Sequence, residues 1–240
     1  MKTRFAIVIG ASSGIGRELV RQLASEGTKV AAVARRTELL DALKIENPDR
    51  ILTYSHDVTD FESAEKLFMQ MTHDLGGLDL FIYNSGIMPV VEPNEYSFEK
   101  DQATVDVNVT GAVRWCNLAA ERFLNTKSGT IIGLGSVAGD RGRSGSPVYN
   151  SSKAFLHTYM EALRNRLSTS GVNVVTIKPG PVDTEMTQHL SMSKMSAAKA
   201  AEIILSKRGK NGEFYLSPLH RAIFYVIKRV PSPIFRKLKI

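Results

Sequence analysis

The stretch FAIVIGASSGIGRELV, residues 5–20, joins an apolar run to a glycine-rich turn and the start of an amphipathic segment. The run 5–10 predicts a buried first strand, and 16–26 predicts the helix that follows. Glycines between them permit a tight turn and a close approach of the backbone to a pyrophosphate at the helix N-terminus. The spacing is Gly-x-x-x-Gly-x-Gly, not Gly-x-Gly-x-x-Gly. Glycines also end strands in proteins that bind nothing, but the position between strand and helix favours a nucleotide site.

Short apolar runs go on alternating with helix-length amphipathic segments. The other predicted strands are 29–34, 51–55, 79–83, 130–135, 173–178 and 213–217. The other predicted helices are 38–46, 61–75, 98–124, 147–168 and 196–207. Strands that are apolar at nearly every position are typical of a parallel sheet covered on both faces. The sequence therefore predicts an α/β fold, a doubly wound parallel sheet with helices on both faces, in one domain over 1–217 with a basic extension over 218–240.

Composition restricts the class of protein. Hydrophobic residues make up 43% and charged residues 23% of the 240 residues, as in soluble globular proteins. Cys116 is the single cysteine, so an intrachain disulfide and a cysteine-based metal cluster are excluded. The first apolar run is too short for a signal-peptide core, and no run approaches the ~20 residues of a spanning helix. A cytoplasmic protein without a metal site is expected.

The net charge of +7 lies in the C-terminal part of the chain. Residues 207–240 hold nine of the 31 Lys and Arg residues and one acid, Glu213, which leaves 22 basic and 23 acidic residues elsewhere. A nearly neutral body argues against a nucleic-acid binder.

The tail segment 219–230 predicts an amphipathic helix. One face carries Leu219, Ala222, Ile223, Val226, Ile227 and Val230, and the opposite face carries His220, Arg221, Phe224 and Lys228. The apolar face is predicted to pack on the body or on a second subunit. A shallow membrane-surface contact is the alternative, for which the terminal segment 234–240 is better suited.

The end of the second strand bears on the choice of nucleotide. An acid at this point binds the ribose 2′-hydroxyl of NAD, whereas arginine accommodates a 2′-phosphate. Here Arg35 and Arg36 follow the strand and no acid is present. This favours NADP(H), although the arginines alternatively only solvate a loop. At the next two strand ends, Asp57 is a candidate adenine contact or a helix cap, and Asn84-Ser85-Gly86 lets a cofactor pass close to the backbone.

The segment SPVYNSSKAFLH, residues 146–157, places a phenol and an ammonium one helical turn apart. Ser146 is predicted to be the N-cap, with Pro147 at the first helical position. Tyr149 and Lys153 then share one face. On its own such a pair is common by chance on solvated helices.

Together these motifs resemble the short-chain dehydrogenase/reductase family over about residues 4–185. The resemblance implies a Rossmann-like fold, a homodimer or homotetramer, and an active site of Asn108, Ser136, Tyr149 and Lys153. It implies, with the observations above, an NADP(H) site of Gly10, Ser12, Ser13, Gly14, Ile15, Gly16, Arg35, Arg36, Asp57, Val58, Asn84, Ser85, Gly86, Tyr149, Lys153, Pro179, Gly180, Val182 and Thr184. Lys178 begins the loop that matches the family's nicotinamide side. Ile9 and Tyr83 depart from the family's Thr and Asn, which should alter local hydrogen bonding.

The candidate residues suit the reduction of a carbonyl, which needs a hydride on carbon and a proton on oxygen. A phenol with a pKa of about 10 is a weak acid at neutral pH, and a nearby ammonium lowers that pKa. Lys153 is therefore expected to lower the pKa of Tyr149 and, by resemblance, to hold the nicotinamide ribose. Ser136 is expected to donate to the developing oxyanion. By resemblance Asn108 holds a water that links Lys153 to solvent, or else it is a buried Asn satisfied by backbone.

The substrate side is less defined. Expected walls are 87–91, 137–145 and 182–195. Arg143 either meets an acidic substrate or faces water, and water is favoured. Met186, Met192 and Met195 are either a flexible lid or core filler. The sequence predicts an NADPH-dependent reductase of a small ketone or 3-oxoacyl substrate. The alternative is an NADP(H)-binding regulator or scaffold without turnover, which the complete catalytic set disfavours.

Overall fold

The computed structural model describes residues 3–92 and 94–238, and its centre is a seven-stranded parallel sheet. The strands are β1 (Phe5–Ile9), β2 (Lys29–Ala34), β3 (Ile51–Ser55), β4 (Leu80–Tyr83), β5 (Gly129–Leu134), β6 (Val172–Lys178), β7 (Val182–Asp183), β8 (Met195–Ser196) and β9 (Gly212–Tyr215). The sheet order is β3-β2-β1-β4-β5-β6-β9, and β7 pairs separately with β8. The order reverses between β1 and β4, where doubly wound sheets bind their ligands. The predicted fold class is confirmed.

Helices cover both faces of the sheet. They are α1 (Gly14–Ser25), α2 (Thr37–Glu46), α3 (Ala64–Leu75), α4 (Phe98–Val105), α5 (Gly111–Thr126), α6 (Pro147–Arg166), α7 (Ala197–Leu205), α8 (Pro218–Ile227) and α9 (Ser232–Phe235). Successive residues of β1 alternate between the two cores: Ile7 packs with α3, α5 and α6, while Val8 packs with α1, α2 and α7. This is why the strands are apolar at nearly every position.

The segment predicted as one helix over 98–124 is divided by a π-helical turn, Asp106–Thr110, between α4 and α5. The buried Tyr83 hydroxyl donates to the Val107 carbonyl at 2.6 Å, and a Cβ at Gly111 would lie 2.7 Å from the same hydroxyl. A contact with β4 therefore accompanies the wide turn, which places Asn108 at the centre of the fold.

The start of α6 differs from the prediction in one respect. The helix begins at Pro147, but Ser146 is in the left-handed region with φ of 49° and its side chain makes no capping bond. Asn150 has the stabilising role instead, since its amide donates to the Gly145 carbonyl at 2.8 Å. A side chain inside the first turn thus fixes the loop that precedes it.

The tail helix packs on the body through the face opposite to the one predicted, and packing of the apolar face on a second subunit stays a prediction. Phe224 is buried against the body, whereas Leu219, Ile223 and Val226 are 65%, 41% and 61% exposed. Phe224 lies between His220 and Lys228, whose partners lie in the body, and these contacts outweigh the larger apolar face.

The structure bears on only some of the remaining predictions for the C-terminal extension. Within 3–92 and 94–238, no helix is long and apolar enough to cross a membrane. Lys239 and Ile240, part of the terminal segment considered for a membrane contact, lie outside the described residues, as do Met1, Lys2 and Pro93. The domain boundary at residue 217 stays a prediction.

The contact between α1 and β1 generates a stability prediction. A Cβ at Gly16 would overlap the Gly10 carbonyl oxygen and lie 2.6 Å from Asn84 Nδ2. We expect Gly16→Ala to lower the free energy of unfolding by ~1–3 kcal/mol, because overpacking forces the backbone apart. Gly142→Ala is the matched control, since a Cβ there meets nothing within 4 Å and the residue has no positive φ. Urea denaturation that finds the two variants equally stable would contradict this account.

Candidate active site

A cleft of about 450 Å³ opens at the carboxyl ends of β1, β2, β4, β5 and β6. The predicted residues that line it are Gly10, Ser12, Ser13, Gly14, Ile15, Arg35, Arg36, Val58, Asn84, Ser85, Gly86, Ser136, Tyr149, Lys153, Pro179, Gly180, Val182 and Thr184. Three predicted residues, Gly16, Asp57 and Asn108, do not line the cleft but lie directly behind it. The fold thus brings the separate sequence motifs to one place.

The glycine turn lies at the switch point of the sheet. Gly10 has φ of +84°, and a Cβ on it would lie 2.8 Å from the Ser85 backbone nitrogen. Asn84 Nδ2 donates to the Gly10 carbonyl at 2.8 Å, so its amide fixes the turn. The amino end of α1, which begins at Gly14 without a side-chain cap, faces the cleft. Unpaired amides at a helix start suit an anionic phosphate.

The two arginines after β2 have different contacts. Arg36 Nη2 donates to Ser13 Oγ at 2.6 Å and to Ser12 Oγ at 3.2 Å, and Arg36 Nη1 lies 2.8 Å from Glu185 Oε2. Arg35 is 65% exposed in its side chain and lies 3.4 Å from Asp57 Oδ2. Both guanidinium groups are near the glycine turn, where a phosphate would gain charge-assisted hydrogen bonds.

The Asp57 carboxylate accepts hydrogen bonds from a residue two positions further along the chain. Its Oδ1 accepts from the Thr59 backbone amide at 3.0 Å and from Thr59 Oγ1 at 2.8 Å. Burial opposes ionisation of this carboxyl, but the hydrogen bonds from Thr59 and the charge of Arg35 lower its pKa overall. This is a local turn and not the helix cap considered as the alternative, since α3 begins at Ala64 with Ser63 before it. The adenine contact stays a prediction.

The catalytic candidates meet at the other end of the cleft. Tyr149 and Lys153 lie one turn apart on α6, with Lys153 Nζ 5.8 Å from the centre of the Tyr149 ring. The buried Lys153 ammonium donates to the Leu134 carbonyl at 3.0 Å. Ser136 follows β5 directly, and its hydroxyl accepts from the Ala138 amide at 3.1 Å at the start of a 3-10 turn, Val137–Asp140. A phenol, an ammonium and a hydroxyl thus border the same space.

Electrostatics at this end differ from the expectation. Burial raises the pKa of Tyr149 above its ordinary value, while the Ser136 hydroxyl and the charge of Arg143 act in the opposite direction. Burial also lowers the pKa of Lys153 to about 8. The expected lowering of the Tyr149 pKa by Lys153 is therefore not found in this structure. The phenol is held in its protonated form, which is the form that a general acid requires.

Arg143 was predicted to face water, and this is wrong. It is half-buried, and its Nη2 donates to Asn150 Oδ1 at 3.2 Å. Asn150 also holds the loop before α6, so one amide orders the loop and positions a cation whose charge reaches Tyr149. The only sequence signal for Asn150 was its position next to Tyr149. Arg143 was named in an expected substrate wall, but nothing in the sequence indicated its contact with Asn150.

Asn108 is fully buried and satisfied by the protein. Its Oδ1 accepts from the Ile87 amide at 2.8 Å, and its Nδ2 donates to the Ile87 carbonyl at 3.0 Å and to Ser152 Oγ at 3.1 Å. This matches the alternative of a backbone-satisfied Asn. A Cβ on Gly86 would lie 3.2 Å from Lys153 Nζ and 3.3 Å from Asn108 Oδ1, so both side chains border the same glycine. The water-linking role stays a prediction.

His157 packs beneath Ser136 and was missed by the sequence analysis. Its Nε2 accepts from the Ser136 amide at 3.4 Å, and a Cβ on Gly139 would lie 2.7 Å from its Cε1. Burial, and less strongly the charge of Lys178, lower the pKa of His157 to about 3, so the ring is a neutral acceptor. Two of the three glycines in the stretch GLGSVAG, residues 133–139, lie against the ring: Gly135 and Gly139 are the signal that a side chain packs on this segment.

Lys178 does not reach the cleft, although it begins the loop matched to the nicotinamide side. It is buried, and its Nζ lies 2.9 Å from Asp140 Oδ1 and 2.6 Å from Glu213 Oε2. Lys228 of α8 also lies 2.9 Å from Asp140 Oδ1. The charged residues of this region therefore form a structural ion-pair cluster behind Ser136.

The substrate walls are reached in part. Ile87 and the segment 184–187, which includes Met186, line the cleft. Met195 instead packs against the core beside β7, and Met192 is exposed away from the cleft. Only one of the three methionines thus has the position expected of a lid. Five further lining residues that the sequence analysis did not name are neighbours of named ones: Ala34, His56, Val107, Leu134 and Gly135.

Comparisons with known proteins agree with this geometry. A family model described as short chain dehydrogenase matches residues 4–195. A Myxococcus xanthus protein described as an uncharacterized oxidoreductase is 34% identical over 242 residues, which cover 98% of this chain and 96% of its own length. One with the same description from Staphylococcus aureus is 31% identical over 206 residues, which cover 84% of this chain and 89% of its own.

Solved structures show the same fold. A short-chain dehydrogenase from Streptomyces avermitilis superposes with a TM-score of 0.85 at 24% identity, covering 93% of this chain and 92% of its own. One from Burkholderia cenocepacia, in complex with NADP, superposes with a TM-score of 0.86 at 22% identity, covering 100% of this chain and 98% of its own. With the family model and the Myxococcus relative, which spans nearly the whole chain, these findings establish that the chain belongs to the short-chain dehydrogenase family.

Proposed function

We propose that the protein reduces a carbonyl group of a small molecule to an alcohol with NADPH, and that Tyr149 is the general acid. The observation that carries this proposal is the shape of the cleft. Arg35 and Arg36 lie at one end, and Ser136, Tyr149 and Lys153 lie at the other. The substrate class is a ketone or 3-oxoacyl group, the compartment is the cytoplasm, and the assembly is a homodimer or homotetramer.

The cleft fits an NADP dinucleotide in several respects. Gly10 packs so closely on the Ser85 backbone that a Cβ would collide with it, which lets the glycine turn stay tight at the edge of the cleft. The start of α1 and the two guanidinium groups offer donors for phosphates. The structural neighbour from Burkholderia cenocepacia was solved with NADP. When bound, the dinucleotide supplies the hydride.

The chain's own residues then have distinct roles. Tyr149 gives its phenolic proton to the carbonyl oxygen, and its raised pKa keeps that proton available at neutral pH. The Ser136 hydroxyl donates to the same oxygen as negative charge develops there. Lys153, adjacent to Tyr149, holds the ribose hydroxyls of the dinucleotide, and Asn108 orders the backbone at Ile87 beside it.

The competing function is a regulator that binds NADP(H) without turnover. It would need no proton donor, so it gives no reason for a buried phenol between Ser136 and Arg143. A turnover screen of the purified protein with NADPH, against ketones and 3-oxoacyl thioesters of graded size and charge, tests the proposal. Binding of NADPH with no consumption across the screen would favour the regulator.

The first prediction concerns the acid. Tyr149→Phe should reduce kcat by about 10²–10⁴-fold, because one positioned proton donor is lost. The dissociation constant for NADPH should change by only a few fold, since the phenol contributes little to cofactor binding. Stopped-flow reduction of the best substrate, with fluorescence titration of NADPH, measures both. A variant with unchanged kcat would show that another group protonates the product.

The second prediction concerns pH. The pKa of Lys153 is about 8, so the ammonium dominates below that pH and the neutral amine above it. An ammonium is the better donor to ribose oxygens, so NADPH affinity should fall as pH rises through about 8 in the wild type and in Tyr149→Phe. In Lys153→Ala, affinity should be low and should lack this step. Titrations of NADPH fluorescence at a series of pH values measure this, and a wild-type affinity that is flat through pH 8 is the contrary result.

The third prediction concerns cofactor choice. Arg35→Ala should weaken NADPH binding about ten- to a hundredfold and NADH binding far less, because only NADPH has a 2′-phosphate. Arg36→Ala is a poorer probe, since Arg36 also holds Ser12 and Ser13. Arg50→Ala is the control, because Arg50 is exposed and precedes β3 at the amino ends of the strands, whereas Arg35 follows β2 at their carboxyl ends. Equal losses for both cofactors would assign Arg35 a structural role.

A further inference from the structure

The C-terminal tail leaves an unusual amount of apolar surface uncovered. Six of its large apolar side chains are 41–65% exposed: Leu219, Ile223, Tyr225, Val226, Ile234 and Leu238. Three of them, Leu219, Ile223 and Val226, follow the spacing i, i+4, i+7 and therefore form one stripe along α8. The stripe lies on the outside of the molecule.

Contacts on the opposite face hold α8 in this orientation. Phe224 is buried, Lys228 Nζ lies 2.9 Å from the buried Asp140, and His220 packs against Gly180. Arg141 adds a second attachment, because its Nη1 donates to the Lys228 carbonyl at 3.2 Å and its guanidinium lies 4.7 Å from the centre of the Phe235 ring. The exposed stripe is thus a fixed feature of the packed helix and not the result of a loose terminus.

Basic side chains accompany the stripe. Arg229, Arg236 and Lys237 have no carboxylate within 4 Å in the part of the chain that the structure describes. The one acid among residues 207–240 is Glu213 in β9, and it forms an ion pair with Lys178. Arg229 stacks 3.6 Å above the Tyr225 ring on α8, which combines a cation with an amphipathic aromatic side chain. The surface is therefore apolar and basic together.

We infer that the outer face of α8, with the basic residues around it, docks on an anionic lipid surface. An apolar stripe beside Arg and Tyr side chains on a helix too short to span is the pattern of helices that lie in the headgroup region. The apolar residues enter the acyl boundary, and the cations stay at the level of the phosphates.

Charge argues against a second copy of the chain as the occupant. A two-fold interface places the same patch on both partners, so the stripe would bring the unpaired cations of two tails together with no acid between them. An anionic bilayer would both cover the apolar stripe and supply negative charge to the cations beside it. Docking also leaves the anchoring face undisturbed, because Phe224, Lys228 and Arg141 point to the body.

Vesicle sedimentation of the full-length protein tests the inference. Wild-type protein should sediment with phosphatidylcholine vesicles that contain phosphatidylglycerol and not with pure phosphatidylcholine, and high salt should release it. Leu219→Ser/Ile223→Ser/Val226→Ser should lower partitioning more than tenfold. Arg229→Gln/Arg236→Gln/Lys237→Gln should lower it by about fivefold per residue. Lys228 is left intact because it is the partner of Asp140.

Two control variants test whether the location of these residues matters. Ile45→Ser/Met69→Ser removes side chains that are 79% and 64% exposed on α2 and α3, and Lys44→Gln/Arg50→Gln/Lys66→Gln removes exposed charges elsewhere. Both should sediment like the wild type. All variants should keep the wild-type melting temperature, because every altered side chain is exposed.

Three results would overturn the inference. One is the absence of wild-type sedimentation with anionic vesicles at low salt. Another is an equal loss of binding in the tail variants and the controls. The third is a wild-type dimer, measured by light scattering, that the serine variant converts to a monomer without any vesicle binding, which would identify a second copy as the occupant. None of these readouts depends on turnover, so the inference and the proposed reductase activity fail separately.

Discussion

The junction of β1, α1 and β4 leaves no room for a side chain, and the cleft depends on that closeness. Gly16 lies against the Gly10 carbonyl, Gly10 lies against the backbone of Ser85, and Asn84 donates to that same carbonyl. The amino end of α1 is thereby drawn to the point where the strand order reverses. Arg36 donates to Ser12 and Ser13, which lie in the glycine turn. The position of this cation at the cofactor end of the cleft therefore depends on the glycines that shape the turn.

The other end of the cleft is organised by buried polar groups. Lys153, His157, Asp140 and Lys178 are all buried, and a buried charge is tolerated only with partners. The segment from Ser136 to Asp140 is held by His157 from α6, by Lys178 from β6 and by Lys228 from α8. Three elements distant in sequence therefore fix the candidate oxyanion donor. The same ion pairing explains the orientation of the tail helix. Lys228 pairs with the buried Asp140, and this contact turns the Phe224 face of α8 towards the body.

The seven strands of the main sheet, their alternation with helices and most lining residues of the cleft could be predicted from the sequence because each has a local cause. β1 is apolar on both faces, and glycines mark the turn where a Cβ would collide. Other features depend on distant contacts and have no local signal. The π-helical turn at Asn108 accompanies a bond from Tyr83, the position of Arg143 depends on Asn150, and the outward face of α8 depends on an aspartate 84 residues earlier than Phe224. Hydrophobic periodicity found the helix but not the side on which it packs.

Arg36 connects the two ends of the cleft in a way that bears on the proposed function. Its Nη1 pairs with Glu185, which together with Met186 lines the substrate side. Both members of this pair are about half exposed, with side-chain exposures of 45% and 56%, so it is worth ~1 kcal/mol or less. A contact this weak can exchange partners. Under the proposed function, a phosphate of NADP(H) bound near Ser13 would compete with Glu185 for the Arg36 guanidinium. Glu185 would then lose the contact that ties the segment 185–187 to the cofactor end of the cleft.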